Sequence, residues 1–273
     1  MNDYIEEVNP ETGEVNPNLV YDKGTNESAE PEPEPEKEPE QRKVALIGNG
    51  RTLRYFEFDK ISDDMDTVGM GLAYRHWYDI NWFPDYYVNV DRELLNHNHQ
   101  EIKKMIDEDK CKKGYFLSRS ILKHYPELED NEKVLFIEMF QEQRGNPFRY
   151  LLEWYCESAA FLFAVILGYN DINVLGIDLK YEDFIPPIDD NLIITDIPIH
   201  NPNYFRDDYQ MTGDLYIKPN LEDQTHSWEH IVFILTGYTY LNRLPMNVYV
   251  WTTDEVVGLS KYFSKKLLKN FFS

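Results

Sequence analysis

The run Gly48-Asn49-Gly50-Arg51-Thr52 closes the apolar stretch Val44–Ile47. Glycines at a strand end let the backbone turn tightly and approach a ligand closely. In open α/β sheets, ligands bind beyond the carboxyl ends of the strands. A simple turn would carry the same letters. The dinucleotide fingerprint needs a third glycine where Leu53 stands, so an NAD-binding enzyme is disfavoured. A second such group, Gly176-Ile177-Asp178, places a carboxylate at the tip of another apolar run, with Lys180 and Tyr181 just beyond it. Asn89 and Asp91 close a third run. His226 and His230 lie four residues apart, and histidine suits proton transfer near neutral pH. The same spacing can bind zinc, but no third-ligand signature accompanies it. Metal-dependent sugar transfer would want Asp-x-Asp at a strand end. Asp64-Met65-Asp66 precedes its strand, Asn89-Val90-Asp91 lacks the first Asp, and Asp189-Asp190 falls in a loop. A methyltransferase would want an acidic residue after the second strand, where Gly71-Leu72 stands instead.

These groups need a scaffold that alternates strands and helices. Apolar runs predict strands at Val44–Ile47, Asp66–Met70, Tyr86–Val90, Lys133–Phe140, Ile172–Asp178 and Asn247–Trp251. Helices are predicted at Ala73–Tyr78, Arg92–Asp107, Tyr150–Tyr169 and from His226 to Asn242. This alternation implies an α/β fold, a single Rossmann-like domain over residues 43–273 with a mainly parallel sheet. About 45 residues from Lys180 to Gln224 show little helical periodicity and read as an irregular lid inserted into the domain. The last residues, Gly258–Ser273, read as an amphipathic helix that caps the core; the lysines Lys261, Lys265, Lys266 and Lys269 raise peripheral contact with an anionic membrane as the alternative.

The chain has 273 residues, 49 of them acidic and 27 basic, for a net charge of −22. That balance argues against a nucleic-acid partner. Residues 1–43 hold 13 acidic and 4 basic side chains, and 27–40 alternate Pro with Glu. Residues 1–42 are therefore expected to be a disordered acidic tail. Two cysteines make no disulfide framework, and no apolar run is long enough for a membrane span. The expectation is a cytoplasmic protein, or one peripheral to the membrane through its C-terminal helix.

Three segments together resemble the family 42 bacterial sialyltransferases: Ile47–Leu53, similar to the family's Gly-Asn-Gly-Pro-Ser-Leu loop; Gly69–Arg75 with Tyr86–Asp91; and Ala164–Asp178, similar to its Leu-Gly-Tyr…Gly-Ile-Asp unit. His226-Ser227 stands where the family has its His-Ser. The resemblance spans roughly residues 43–265, in blocks. It implies a variant of the GT-A glycosyltransferase fold with a lid, and inverting, metal-independent transfer from a CMP-sugar to an acceptor hydroxyl. No cofactor is implied beyond the nucleotide-sugar donor, and the acceptor would be a glycan or glycolipid. The resemblance makes His226 the catalytic base, with His230 behind it. It makes Asn49 and Asn89 contacts of the nucleotide-sugar, in a set with Gly48, Gly50, Arg51, Thr52, Asp91, Ser158, Gly176 and Asp178. The family stabilises the leaving phosphate with tyrosines after Gly-Ile-Asp; here Lys180 and Tyr181 take that place, with Arg51 and Arg206 as further cations.

The chain also departs from the family. Gly71 replaces an Asn, Glu153 replaces an Arg, and Cys156-Glu157-Ser158 replaces a Ser/Thr-Gly-Ser sequence of which Ser158 is retained. A glutamate near a helix N-terminus repels a phosphate placed there. A sugar other than sialic acid is therefore open. So is a non-catalytic glycan- or partner-binding module on a decayed transferase fold, the reading favoured if Glu157 points into the pocket beneath Gly48–Gly50.

Overall fold

The computed structural model describes residues 41–142, 155–242 and 246–272. The predicted acidic tail lies outside them, except Gln41 and Arg42, which are already tied down. The Arg42 amide donates to Asn170 Oδ1 (2.9 Å), and its guanidinium lies over the Tyr169 ring.

Eight strands form one sheet, and every pairing is parallel: β1 (Lys43–Ile47), β2 (Asp66–Met70), β3 (Tyr86–Asn89), β4 (Gly114–Leu117), β5 (Val134–Phe136), β6 (Asp171–Leu175), β7 (Asn247–Thr252) and β8 (Ser264–Leu267). Their order across the sheet is β5-β4-β3-β2-β1-β6-β7-β8. Both faces are covered, as a parallel sheet requires. Alternation along β1 shows how. Val44 and Leu46 point to one core, with helices α5 (Cys156–Ile166) and α6 (Leu221–Asn242). Ala45 and Ile47 point to the other, with α1 (Tyr74–Ile80) and α3 (His99–Asp107). Helix α5 is buried from Ser158 to Ala164 because it lies under α6 and against β1, β2 and β3. Phe161 packs edge-on against Trp228 of α6, and Phe163 stacks on Phe116 of β4.

Several elements differ from expectation. The run Lys133–Phe140 is split: β5 ends at Phe136 and α4 (Ile137–Glu142) begins at once. The polar helix is two, α2 (Arg92–His97) and α3, broken at Asn98. Tyr150–Trp154 lie outside the described residues. The C-terminal segment is not an amphipathic helix. It is a 3₁₀ turn, strand β8 and another 3₁₀ turn. Among the described residues β8 pairs only with β7, and Lys265 and Lys266 sit on this edge, where charge discourages further strand pairing. The Lys266 ammonium lies over Tyr249, 3.5 Å from the ring centroid. Residues between β6 and α6 are irregular apart from short antiparallel bridges, one of which joins Tyr204 to Gly50. No described helix is long and apolar enough to cross a membrane.

Candidate active site at the crossing of β1 and β6

Chain order reverses at β1, which sends its crossover to β2 on one side and has β6 on the other. This is the switch point at which open α/β sheets bind ligands. A cavity of about 350 Å³ lies there, within the size range of ligand sites. Its floor is Gly48–Gly50 from β1, Met70 and Gly71 from β2, and Gly176–Tyr181 from β6. The start of α5 (Tyr155, Cys156, Glu157) forms one wall, and Asn203, Tyr204, Tyr209, Lys218 and Gln224 close the other.

The glycine loop is held by its own neighbours. The Gly48 amide donates to Leu175 O (2.8 Å) and the Gly50 amide to Gly176 O (2.7 Å). The amides of Gly48 and Gly50 are therefore already engaged, and are not free to attract an anionic ligand. A Cβ on Gly48 would overlap Gly176 O, and one on Gly50 would overlap Asp178 Oδ2. These glycines allow β1 and β6 to close together at their tips. Asp178 serves the same closure: its carboxylate accepts from the Thr52 amide (3.1 Å) and hydroxyl (2.6 Å). Burial pushes this carboxyl above its ordinary range, and the Thr52 bonds pull it back.

Of the residues singled out from the sequence, Gly48, Asn49, Gly50, Asp91, Gly176, Asp178, Lys180 and Tyr181 line this cavity. Asp91 also caps α2, its Oδ1 accepting from the Glu93 and Leu94 amides at 3.0 Å each. Arg51 and Thr52 line a neighbouring cavity that shares Asp178 and Lys180 with the first. There Arg51 faces Glu182 at 3.4 Å. Arg206 is engaged elsewhere, with Asp208 at 2.5 Å and Asp79 at 2.7 Å. Asn89 is buried behind the cavity, donating to Tyr87 Oη (3.1 Å) while its Oδ1 faces the Cys156 thiol. Ser158 is buried too, between Tyr155 O (3.0 Å) and the Ser227 hydroxyl (3.1 Å). His226 does not line the cavity. Its side chain is 69% exposed on α6 and faces Glu229 at 3.7 Å. Successive residues on a helix turn by about 100°, so Gln224, two residues earlier, occupies the opposite face. Gln224 is the α6 side chain that enters the cavity.

Several groups were not singled out as site residues. Tyr204 and Tyr209 stack at 4.2 Å between centroids. The Tyr209 hydroxyl accepts from the buried Leu72 amide (3.0 Å), and Phe205 N–H donates to Asn49 O (3.1 Å). The irregular segment is thereby fastened onto the strand ends. Aromatic residues in a structureless stretch give no sequence signal for that docking. Glu157 does line the cavity. Burial pushes its carboxyl up to about 7, and the neighbouring Asp91 charge adds to the effect. Burial likewise drives the Tyr181 phenol well above its usual range, reinforced by Tyr204 and Glu157, so Tyr181 is a hydroxyl donor and not a base. The Cys156 thiol is pushed up to about 12 by burial and stays protonated, unlike a nucleophilic thiol. Two unfilled acceptors belong to the same walls: Asn49 Oδ1 and Gln224 Oε1 are buried without a hydrogen-bond partner among the described residues. No group of three metal-ligating side chains occurs among the described residues.

Sheet order and cavity position define a Rossmann-like α/β architecture with a cavity at its switch point. No family model matches the chain, and no curated protein matches it. Among solved structures it is similar to the monofunctional α-2,3-sialyltransferase Cst-I from Campylobacter jejuni, at 14% identity over 84% of this chain and 82% of that one, with a TM-score of 0.51. It is also similar to the sialyltransferase CstII of the same organism in complex with CMP-3FNeuAc, at 15% identity over 85% and 88% of the two chains, with a TM-score of 0.46. The likeness to Cst-I is one of fold.

Proposed function

We propose that this protein is a glycosyltransferase that binds a nucleotide-sugar, with a CMP-sugar favoured, and transfers the sugar to a glycan hydroxyl with inversion and without a metal. The observation that carries the reading is the cavity at the β1/β6 switch point, floored by the glycine loop and walled by the docked segment that holds Tyr204 and Tyr209. Asn49 can read a base or ribose edge, having both donor and acceptor atoms. Lys180 and the protonated Tyr181 hydroxyl stand together on the cavity wall, where a cation and a hydroxyl donor can stabilise a departing phosphate. His226 as base requires the first turns of α6 to rotate toward the ligand, since its ring faces solvent here.

The second reading, a glycan- or partner-binding module without chemistry, is favoured by the exposed His226 and by Glu157 inside the cavity. Titration of CMP, UDP and GDP against thermal unfolding separates the two. Stabilisation by one of them supports the transferase reading, and none by any supports the binding module.

A further inference from the structure

The cavity walls carry two buried acceptor atoms without a partner among the described residues, and two carboxylates beside them. Asn49 Oδ1 and Gln224 Oε1 are both unpartnered, and Gln224 is only 7% exposed. The carboxylates of Glu157 and Asp91 line the same space, and each raises the cost of charge on its neighbours. Asp178 adds a third carboxyl at the floor, but it is engaged by Thr52. The cations among the described lining residues are Lys180 and Lys218, and Lys218 already faces Asp183 at 3.3 Å. That leaves Lys180 for the phosphate of a nucleotide.

A sugar carboxylate placed in this space would bring two more acceptors and another negative charge. It would leave buried acceptors unpartnered and set like charges together, and both effects are costly. Sugar hydroxyls, by contrast, donate to Asn49, Gln224 and Asp91. A Glu157 carboxyl that titrates near neutrality can either accept from such a hydroxyl or donate to it. Building on the nucleotide-sugar reading above, we propose that the sugar taken by this site carries no carboxylate, and that Glu157, seconded by Asp91, is the residue that selects against one.

The test uses the full chain and isothermal titration with three pairs of probes: the carboxyl methyl ester of CMP-sialic acid with CMP-sialic acid, UDP-glucose with UDP-glucuronate, and GDP-mannose with GDP-mannuronate. Within whichever pair shares a nucleotide the protein binds, the carboxylate-bearing member is expected to bind at least roughly tenfold more weakly, the scale of one unpaired buried charge. In Glu157→Gln, an isosteric change, that gap is expected to fall to about threefold or less by the same reasoning. Equal or tighter binding of the carboxylate sugar by the parent protein, or an unchanged gap in the variant, overturns this inference and leaves the nucleotide-sugar reading standing. Absence of binding by every nucleotide probe overturns both.

Discussion

The backbone of the glycine loop at the end of β1 and the cavity walls that carry Glu157 of α5 and Gln224 of α6 treat their polar groups in contrary ways. In the loop, the amides of Gly48 and Gly50 and the carboxylate of Asp178 are all engaged in joining β1 to β6. On the wall, Gln224 Oε1 is unpartnered and Glu157 titrates far above an ordinary carboxyl. A satisfied polar group stabilises the fold, whereas a buried unsatisfied one costs free energy that a ligand or an ordered water can return. The loop backbone therefore reads as architecture, and the wall, together with the unpartnered Asn49 side chain, as chemistry, although the glycines are what a motif search sees first.

The comparison can be broken by substitution. The largest effect is expected at the loop. Gly50→Ala would push a Cβ into Asp178 and Gly176, and should cost about 2–3 kcal/mol of stability in denaturant titration, the scale of overpacking in a core. A loss below about 0.5 kcal/mol, the range of a neutral surface change, would show that the loop yields freely.

Glu157→Gln comes next and is read through pH. Burial raises the folded carboxyl to about 7 from its ordinary 4.5, so between these the folded state holds a proton that the unfolded state has released. Stability from this group is complete below about pH 4.5 and is lost as pH rises through 7. The variant should match the parent near pH 4.5 and exceed it at pH 8 by on the order of 1–2 kcal/mol, allowing for solvent screening of a half-buried group. Parallel stability–pH curves would show that Glu157 is not desolvated.

A smaller loss, about 1–2 kcal/mol, is expected for Tyr209→Phe, which strands the buried Leu72 amide. Hydrogen exchange at Leu72 should quicken in that variant, and unaltered protection would argue against the docking of the irregular segment. The least effect belongs to His226→Ala, within about 0.5 kcal/mol in stability because the side chain is exposed. Its donor-hydrolysis rate then decides the base: a collapse shows that α6 rotates to engage the ligand, and unchanged turnover removes His226 from the mechanism.

Much of the scaffold was legible in the chain itself. Strands β1, β2, β3, β6 and β7 are apolar runs that end at glycine or polar tips, which is how buried parallel strands read. Strand β4 was not foreseen, because Gly-Tyr-Phe-Leu is too short to show a period. Strand β8 was not foreseen because Ser-Lys-Lys-Leu carries edge charges in place of alternation. The site was legible only in part. Its strand-end residues were found, but the aromatic wall and Gln224 were not, since they come from a segment without periodicity and from a helix of ambiguous facing.

That helix shows the boundary between the two kinds of information. Composition, run lengths and glycine positions determine that the chain makes an α/β sheet with a glycine turn at the end of β1, because burial of apolar runs and tight turns are local matters; that β1 is the switch point is decided by strand order. Which face of α6 meets the cavity is not local. Apolar residues occur on both sides of it: Ile231 and Leu235 are buried, while Phe233 is 80% exposed. Packing of Trp228 against Phe161 and the bond between Ser227 and Ser158 fix its rotation. That rotation turns Gln224 inward and His226 outward. A helix turns by about 100° per residue, so a contact made by one side chain reverses the meaning of another two positions away.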